Sequence, residues 1–307
     1  MSALHIEAFP YKNIHLVAKP VLSTLSEEHQ PWLCLNGALV DTLDDDVRAL
    51  TKRWVHHWVW RGTDWEYTTP GYRHGPLLVP LNEALLDTYL ATWAPMGMGP
   101  IVLGPANPDT LIAHLQNLRL ISAADGNPAF FSLTALRQIE EMAEGLPAHR
   151  FSEVLGPIQG LIWQNGKGDT RQWLRADNPS SQTLAMRAEN RFALDEAEEE
   201  ALGQTSHWRF LRDAARQFTE QYPERIRPLG AEELARRLVM YAGEAVKLEM
   251  TNERDMRHFM RLRLIYPQRF FDRDEMLRAT LGDLKSNARL RLSECELRLQ
   301  HLTAQPS

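Results

Sequence analysis

Trp32-Leu-Cys-Leu-Asn-Gly-Ala-Leu-Val-Asp41 decides the reading of this chain, together with its echo at Gly75-Pro-Leu-Leu-Val-Pro-Leu81. Each is a short apolar run that stops at a turn residue and leads into an amphipathic pattern. Runs of about four to seven apolar residues bounded by Gly or Pro fit buried strands. Neither run carries a metal-ligand pair or a phosphate loop, so the centre of the molecule reads as structural.

Outward from these runs, Asp41-Thr-Leu-Asp-Asp-Asp46 supplies a cap and acidic first turn for a helix through about residue 56. Asn82 fits the cap of a helix over 83–93, and Ile101-Val-Leu103 is a third apolar run. Asn107-Pro-Asp opens a helix with proline in its first turn, faced by Leu111, Leu115 and Leu118. Asp125-Gly126 reads as the turn of a hairpin, Thr134 as the cap of a helix through about 144, and Gly160–Trp163 as a last strand. Strands alternating with helices plus one hairpin predict a mixed α/β sheet.

Residues 166–188 are polar and hold Gly166, Gly168, Asn178 and Pro179, which fits a linker or long loop. Beyond it the period is helical throughout. Residues 190–222 carry a stripe with a break expected at Gly203, and further stripes run over 231–248, 253–264 and 274–284. The last helix places Ala288, Leu292, Cys295, Leu299 and Leu302 at spacings of four and three, a seam that packs on another helix. The fold class expected is a mixed α/β lobe over 1–165, a linker over 166–188 and an all-α lobe over 189–307.

Composition agrees with two lobes. The 307 residues are 44% hydrophobic with nine Trp, ample for real cores. Residues 1–165 hold 10 Lys+Arg against 17 Asp+Glu, and residues 166–307 hold 24 against 23. The acidic first half argues against a nucleic-acid face, and the later arginines alternate with acids as on a solvated helix. Cys34 and Cys295 sit in apolar patterns and read as buried thiols in a reducing compartment, with a disulfide between the halves as the alternative. No secretory leader pattern and no run of 18 apolar residues is seen, so a cytoplasmic chain without a membrane partner is expected.

Chemistry-bearing motifs are few. Gly160-Leu-Ile-Trp-Gln-Asn-Gly-Lys167-Gly168 has one residue too many for a P-loop and Gly where a hydroxyl should hold Mg²⁺. His56 and His57 are adjacent and point about 100° apart on a helix, which does not suit chelation of one ion. There is no nucleophile elbow, and Cys34 lacks a motif that marks a nucleophile. No catalytic residue, metal or cofactor is therefore expected.

The stretch Arg53–Trp65 contains Trp54, Trp58, Trp60 and Trp65, with Trp54 and Trp58 spaced to share a helical face. Trp and Arg are over-represented at binding hot spots, although the same rings also suit the gap between helix and sheet. Trp208, Leu211, Phe218 and Tyr222 form a second candidate partner-binding face. Asp44–Asp46 fits either a docking patch or a solvated helix start. Asn36 and His114 are candidates for a cleft at the strand ends, where open α/β sheets bind ligands, or for satisfied core positions.

The order of elements resembles the type VI secretion effector chaperone, or adaptor, family, long catalogued as a domain of unknown function. The motif positions are Leu33-Cys-Leu-Asn36-Gly37-Ala38, Gly75-Pro76-Leu-Leu-Val79, a helix ending at Trp93 before Gly99, the His114-Leu115-Gln116 helix end, and a hairpin around Gly126. The resemblance covers about residues 30–165. Two departures stand out. Gln116 replaces the Arg of the His-Leu-Arg motif, with Arg119 one turn later, and Ala129–Leu136 lacks the family's Arg-x-x-Asp-Pro stretch. The resemblance implies a non-enzymatic, cytoplasmic role, in which the adaptor binds a toxin effector and helps place it on the valine–glycine-repeat (VgrG) spike, often with a PAAR tip. Rival readings are a small-molecule enzyme with its site near Asn36 and His114, and an immunity-type inhibitor of the toxin.

Overall fold

The computed structural model describes residues 4–26, 29–52, 55–68, 71–166, 170–180 and 192–304. The chain divides into two compact units, Tyr11–Thr205 and Met1–Pro10 with Ser206–Ser307. Sequence pattern put the change near 165–189; packing puts it at 205, inside the helix Glu196–Gln221.

The α/β unit is built on seven strands: β1 (His15–Val17), β2 (Gln30–Asn36), β3 (His57–Trp58), β4 (Pro76–Pro80), β5 (Ile101–Gly104), β8 (Gly160–Asn165) and β9 (Gln172–Asp177). The strands β6 (Leu120–Ser122) and β7 (Pro128–Phe130) form a separate hairpin. The sheet order is β1-β9-β8-β5-β2-β4-β3, and every pairing in it is antiparallel, which replaces the mixed sheet expected. Helical excursions between strands do not force parallel pairing when a strand returns beside a non-consecutive neighbour.

The quoted stretch lies at the middle of this sheet. β2 pairs with β4 from Trp32↔Pro80 to Asn36↔Pro76 and with β5 from Gln30↔Gly104 to Leu33↔Ile101. Alternate side chains enter two separate cores. Trp32, Cys34, Leu78, Val102, Leu161, Trp163 and Leu174 face one, under the helices Pro108–Leu118, Leu136–Gly145 and Ala148–Leu155. Leu33, Leu35, Leu77, Val79, Ile101, Leu103 and Ile162 face the other, under Leu43–Leu50 and Glu83–Thr88. Helices on both faces explain why these strands are continuously apolar rather than alternating.

Three local departures from the sequence reading have physical causes. The helix expected to reach residue 56 ends at Leu50; Thr51 turns extended, its hydroxyl bonds the Val47 carbonyl, and His57–Trp58 then pairs with β4. The helix Glu83–Thr88 continues into a π turn, Tyr89–Trp93, whose buried Tyr89 hydroxyl donates to the Gly99 carbonyl. Within the stretch read as a linker, Gln172–Asp177 forms β9, because Trp173 fills one core while Leu174 and Ala176 fill the other. Residues 167–169 and 181–188 of that stretch lie outside the described residues.

The helical unit packs Leu4–Ala8, the later part of Glu196–Gln221, Gly230–Lys247, Glu253–Ile265, Gln268–Arg273, Glu275–Gly282 and Ala288–Ala304 around one core. The helix over 196–221 is continuous. Gly203 costs a helix about 1 kcal/mol, and the Ala- and Glu-rich sequence around it carries that. Leu292, Cys295 and Leu299 are buried as the seam required. Arg291, 2% exposed, donates to the Leu281 and Leu248 carbonyls, and Arg212 donates to the Phe9 carbonyl. Both cysteines are free thiols. Among the described residues no helix is long and apolar enough to cross a membrane.

Candidate functional site

The end of β2 makes the floor of a pocket. Asn36 donates its backbone N–H to the Met98 carbonyl, and its side-chain oxygen accepts from the Ala38 N–H, turning the chain sharply. Gly37 N–H reaches the Gly75 carbonyl at 3.1 Å. A Cβ on Gly37 would stand 1.9 Å from the Arg73 carbonyl oxygen and 2.6 Å from the Trp58 ring. One on Gly75 would lie 2.3 Å from the Trp60 indole. These glycines let two backbones and two indoles share a space that no side chain fits.

The loop after β3 forms one wall. Thr63 Oγ1 donates to the Trp60 carbonyl and accepts from Trp65 N–H, and Glu66 accepts from Gly62 N–H. From the helix Pro108–Leu118, the Gln116 amide donates to the Val59 and Arg61 carbonyls at 2.8 and 3.2 Å. Arg119 lies over the Trp65 ring at 5.0 Å and 3.6 Å from the Asp64 carboxylate. Positions 116 and 119 therefore hold the tryptophan loop from behind. Gln116 does so with its amide.

Phe130 of β7 completes the aromatic wall. It stacks on Trp65 with centroids 5.3 Å apart and meets Trp60 edge-on at 5.7 Å, while Trp60 and Trp65 meet edge-on at 4.8 Å. Gln138 fixes this strand end by donating to the Phe130 carbonyl and accepting from Ser132 N–H. The hydroxyls of Ser132 and Thr134 bond each other at 2.8 Å. The pocket is open to solvent on one side and has a volume of about 640 Å³, lined mainly by apolar surface, with Asn36, His74 and the hydroxyls as its polar points.

The residues singled out from sequence fall into distinct places. Asn36, Ala38, Trp60 and Trp65 line this pocket, and Gly37, Gly75 and Pro76 build the backbone beneath it. Trp58 lies on a strand and not on a helical face: it is 6% exposed, in the core, with its indole N–H on Asp44. Trp54 lies outside the described residues. Leu211 and Phe218 are buried in the helical core, which removes them from the partner-binding face expected there. Tyr222 is half-buried, and Trp208 is 44% exposed beside Phe9.

His114 is not brought to Asn36 in the pocket lining. It is buried, with Nε2 2.9 Å from the Val154 carbonyl, and Gly156 leaves room for its ring; burial lowers its pKa. His56 and His57 are half-buried, and burial lowers theirs too. Burial pushes the Cys34 thiol up to about 12, the opposite of an activated nucleophile. Lys167 and Gly168 of the rejected phosphate-loop match lie outside the described residues. Among the described residues no three His, Cys, Asp or Glu side chains gather as a metal site. The sequence reading missed His74, Phe130 and Ser132, and took for a helix cap Thr134, which lines the pocket while the helix starts at Leu136 after Ala135; the signal for Phe130 was the double Phe after the Gly126 turn.

Residues 32–153 match the model of a domain of unknown function, DUF4123, over about two-fifths of the chain. No curated protein and no solved structure matches the chain. Every residue lining the aromatic pocket lies inside the matched segment.

Proposed function

We propose that the chain is a non-enzymatic chaperone, or adaptor, that binds a type VI secretion toxin effector in the cytoplasm and helps load it onto the valine–glycine-repeat spike, with or without a PAAR protein. One observation carries this reading. The motif positions Asn36 and Ala38 converge with Trp60, Trp65 and Phe130 on one apolar pocket inside the family-matched segment. Aromatic side chains set in a pocket are the usual anchors of a protein interface. The pocket lining is mainly apolar, with Asn36, His74 and hydroxyls as polar points, which suits the recognition role proposed.

The test is effector export from a strain lacking this chain, complemented with the wild type or with a Trp65→Ala, Phe130→Ala double variant. Loss of export with the deletion and with the double variant, at normal chain levels, supports the proposal. Unchanged export without the chain refutes it. Inhibition of the toxin's activity by the purified chain would mark an immunity protein instead.

The pocket's volume also falls in the range of small-ligand sites, about 300–1,000 Å³. A stabilising thermal shift with metabolite fractions, lost in Trp65→Ala, would favour that second reading.

A further inference from the structure

Charge around the aromatic pocket narrows what enters it. The α/β unit, Tyr11–Thr205, holds 15 Lys+Arg against 24 Asp+Glu, a net of −9, whereas the rest of the chain holds 19 against 16, a net of +3. Acids follow closely on the pocket's lining residues along the chain. Asp64, with 90% of its side chain exposed, lies between the lining residues Trp60 and Trp65. Asp41 and Asp45, three and seven positions after the lining residue Ala38, are exposed. Among the described residues, Arg73 stands 3.5 Å from Asp44 and Arg61 3.9 Å from Glu66, while Arg119, 3.6 Å from Asp64, is largely buried over Trp65 and leaves that carboxylate facing solvent.

The polar points of the pocket suit a main chain. The Asn36 side-chain oxygen accepts from Ala38 N–H, and among the described residues its amide N–H₂ keeps a donor for the pocket floor. Such a donor matches a peptide carbonyl as the apolar walls match a side chain.

We infer that the pocket takes a polypeptide segment with one aromatic or large aliphatic anchor flanked by Lys or Arg. This rests on the reading of the pocket as the partner site, and adds the chemistry of the partner. Complementary potentials around an apolar anchor raise the rate of encounter and exclude acidic competitors.

The experiment is selection of a random 12-residue peptide library displayed on phage against the full chain. Counter-selection uses Trp65→Ala and, separately, Phe130→Ala, whose ring is 44% exposed; each variant is first checked for native circular dichroism. The inference expects Trp65- and Phe130-dependent peptides with an apolar anchor and net positive flanks. Synthetic copies should bind roughly tenfold more weakly in high salt, and more weakly to Asp41→Asn, Asp45→Asn, Asp64→Asn. Pocket-dependent peptides with neutral or acidic flanks, or salt-insensitive binding, would overturn the charge inference and leave the pocket standing. No pocket-dependent enrichment would overturn both.

Discussion

In the α/β unit the apolar runs are buried on both faces of a sheet, and the sheet satisfies their backbone groups. In the helical unit each helix buries one stripe, and arginines reach inward to the carbonyls left at helix ends and turns. Arg291 bonds Leu281 and Leu248, and Arg212 bonds Phe9. In the α/β unit the side chains that reach loop carbonyls, Gln116 and Gln138, hold the walls of a site at the sheet's end. Trp58 and Trp60 show how sharp that division is. Two positions apart, one is core and the other lines a pocket.

This contrast can be broken at several points. Trp58→Ala should cost the α/β unit about 3–5 kcal/mol, the range for truncating a buried large aromatic, read as loss of its thermal transition; near-neutral behaviour would mean the ring is not core. Arg291→Met should cost the helical unit about 2–4 kcal/mol, because two carbonyls lose their donor in the interior, and denaturant melts would show it. Gly37→Ala should destabilise by about 1–3 kcal/mol through overpacking against the Arg73 carbonyl and the Trp58 ring. Trp65→Ala should cost only about 1 kcal/mol, the worth of its ring contacts, while abolishing partner binding measured by calorimetry.

The two units should also differ in acid. Burial lowers the pKa of His56, His57 and His114 below 6.5, so the unfolded α/β unit binds more protons than the folded one in mildly acidic solution. Its stability is therefore full above pH 6.5 and falls as pH drops through the lowered values. In the helical unit burial lowers the pKa of His207 in the same way. There Arg298 lowers Asp274, whose contribution is lost only as pH falls below 3.8. Melts followed unit by unit between pH 7 and 5 should show the α/β unit weakening more; equal loss would remove the distinction.

The three central strands were legible because each apolar run is fully buried and ends at Gly or Pro. The helical half was legible from its stripes. β9 was not, since Gln172–Asp177 follows a polar stretch and its Arg175 interrupts the apolar pattern. The pocket was half legible. Asn36, Ala38, Trp60 and Trp65 stood out by motif or composition, but Trp58 was given the same role because spacing of four suggests a helical face. The helix ends at Leu50, and nothing short of the pairing of His57–Trp58 with β4 reveals which indole turns inward. Phe130, Ser132 and Thr134 reach the site through tertiary placement of a hairpin, which no local period records.

The helix Leu4–Ala8 and the ring of Phe9 belong to a core whose other members begin two hundred residues later. During synthesis the α/β unit can close as it leaves the ribosome, while this opening segment waits for helices not yet made. Nascent chains stalled when residue 205 has just emerged from the ribosome should accordingly be nicked by protease around Phe9 and resist it through the sheet, and that early exposure should vanish once residue 299 has emerged.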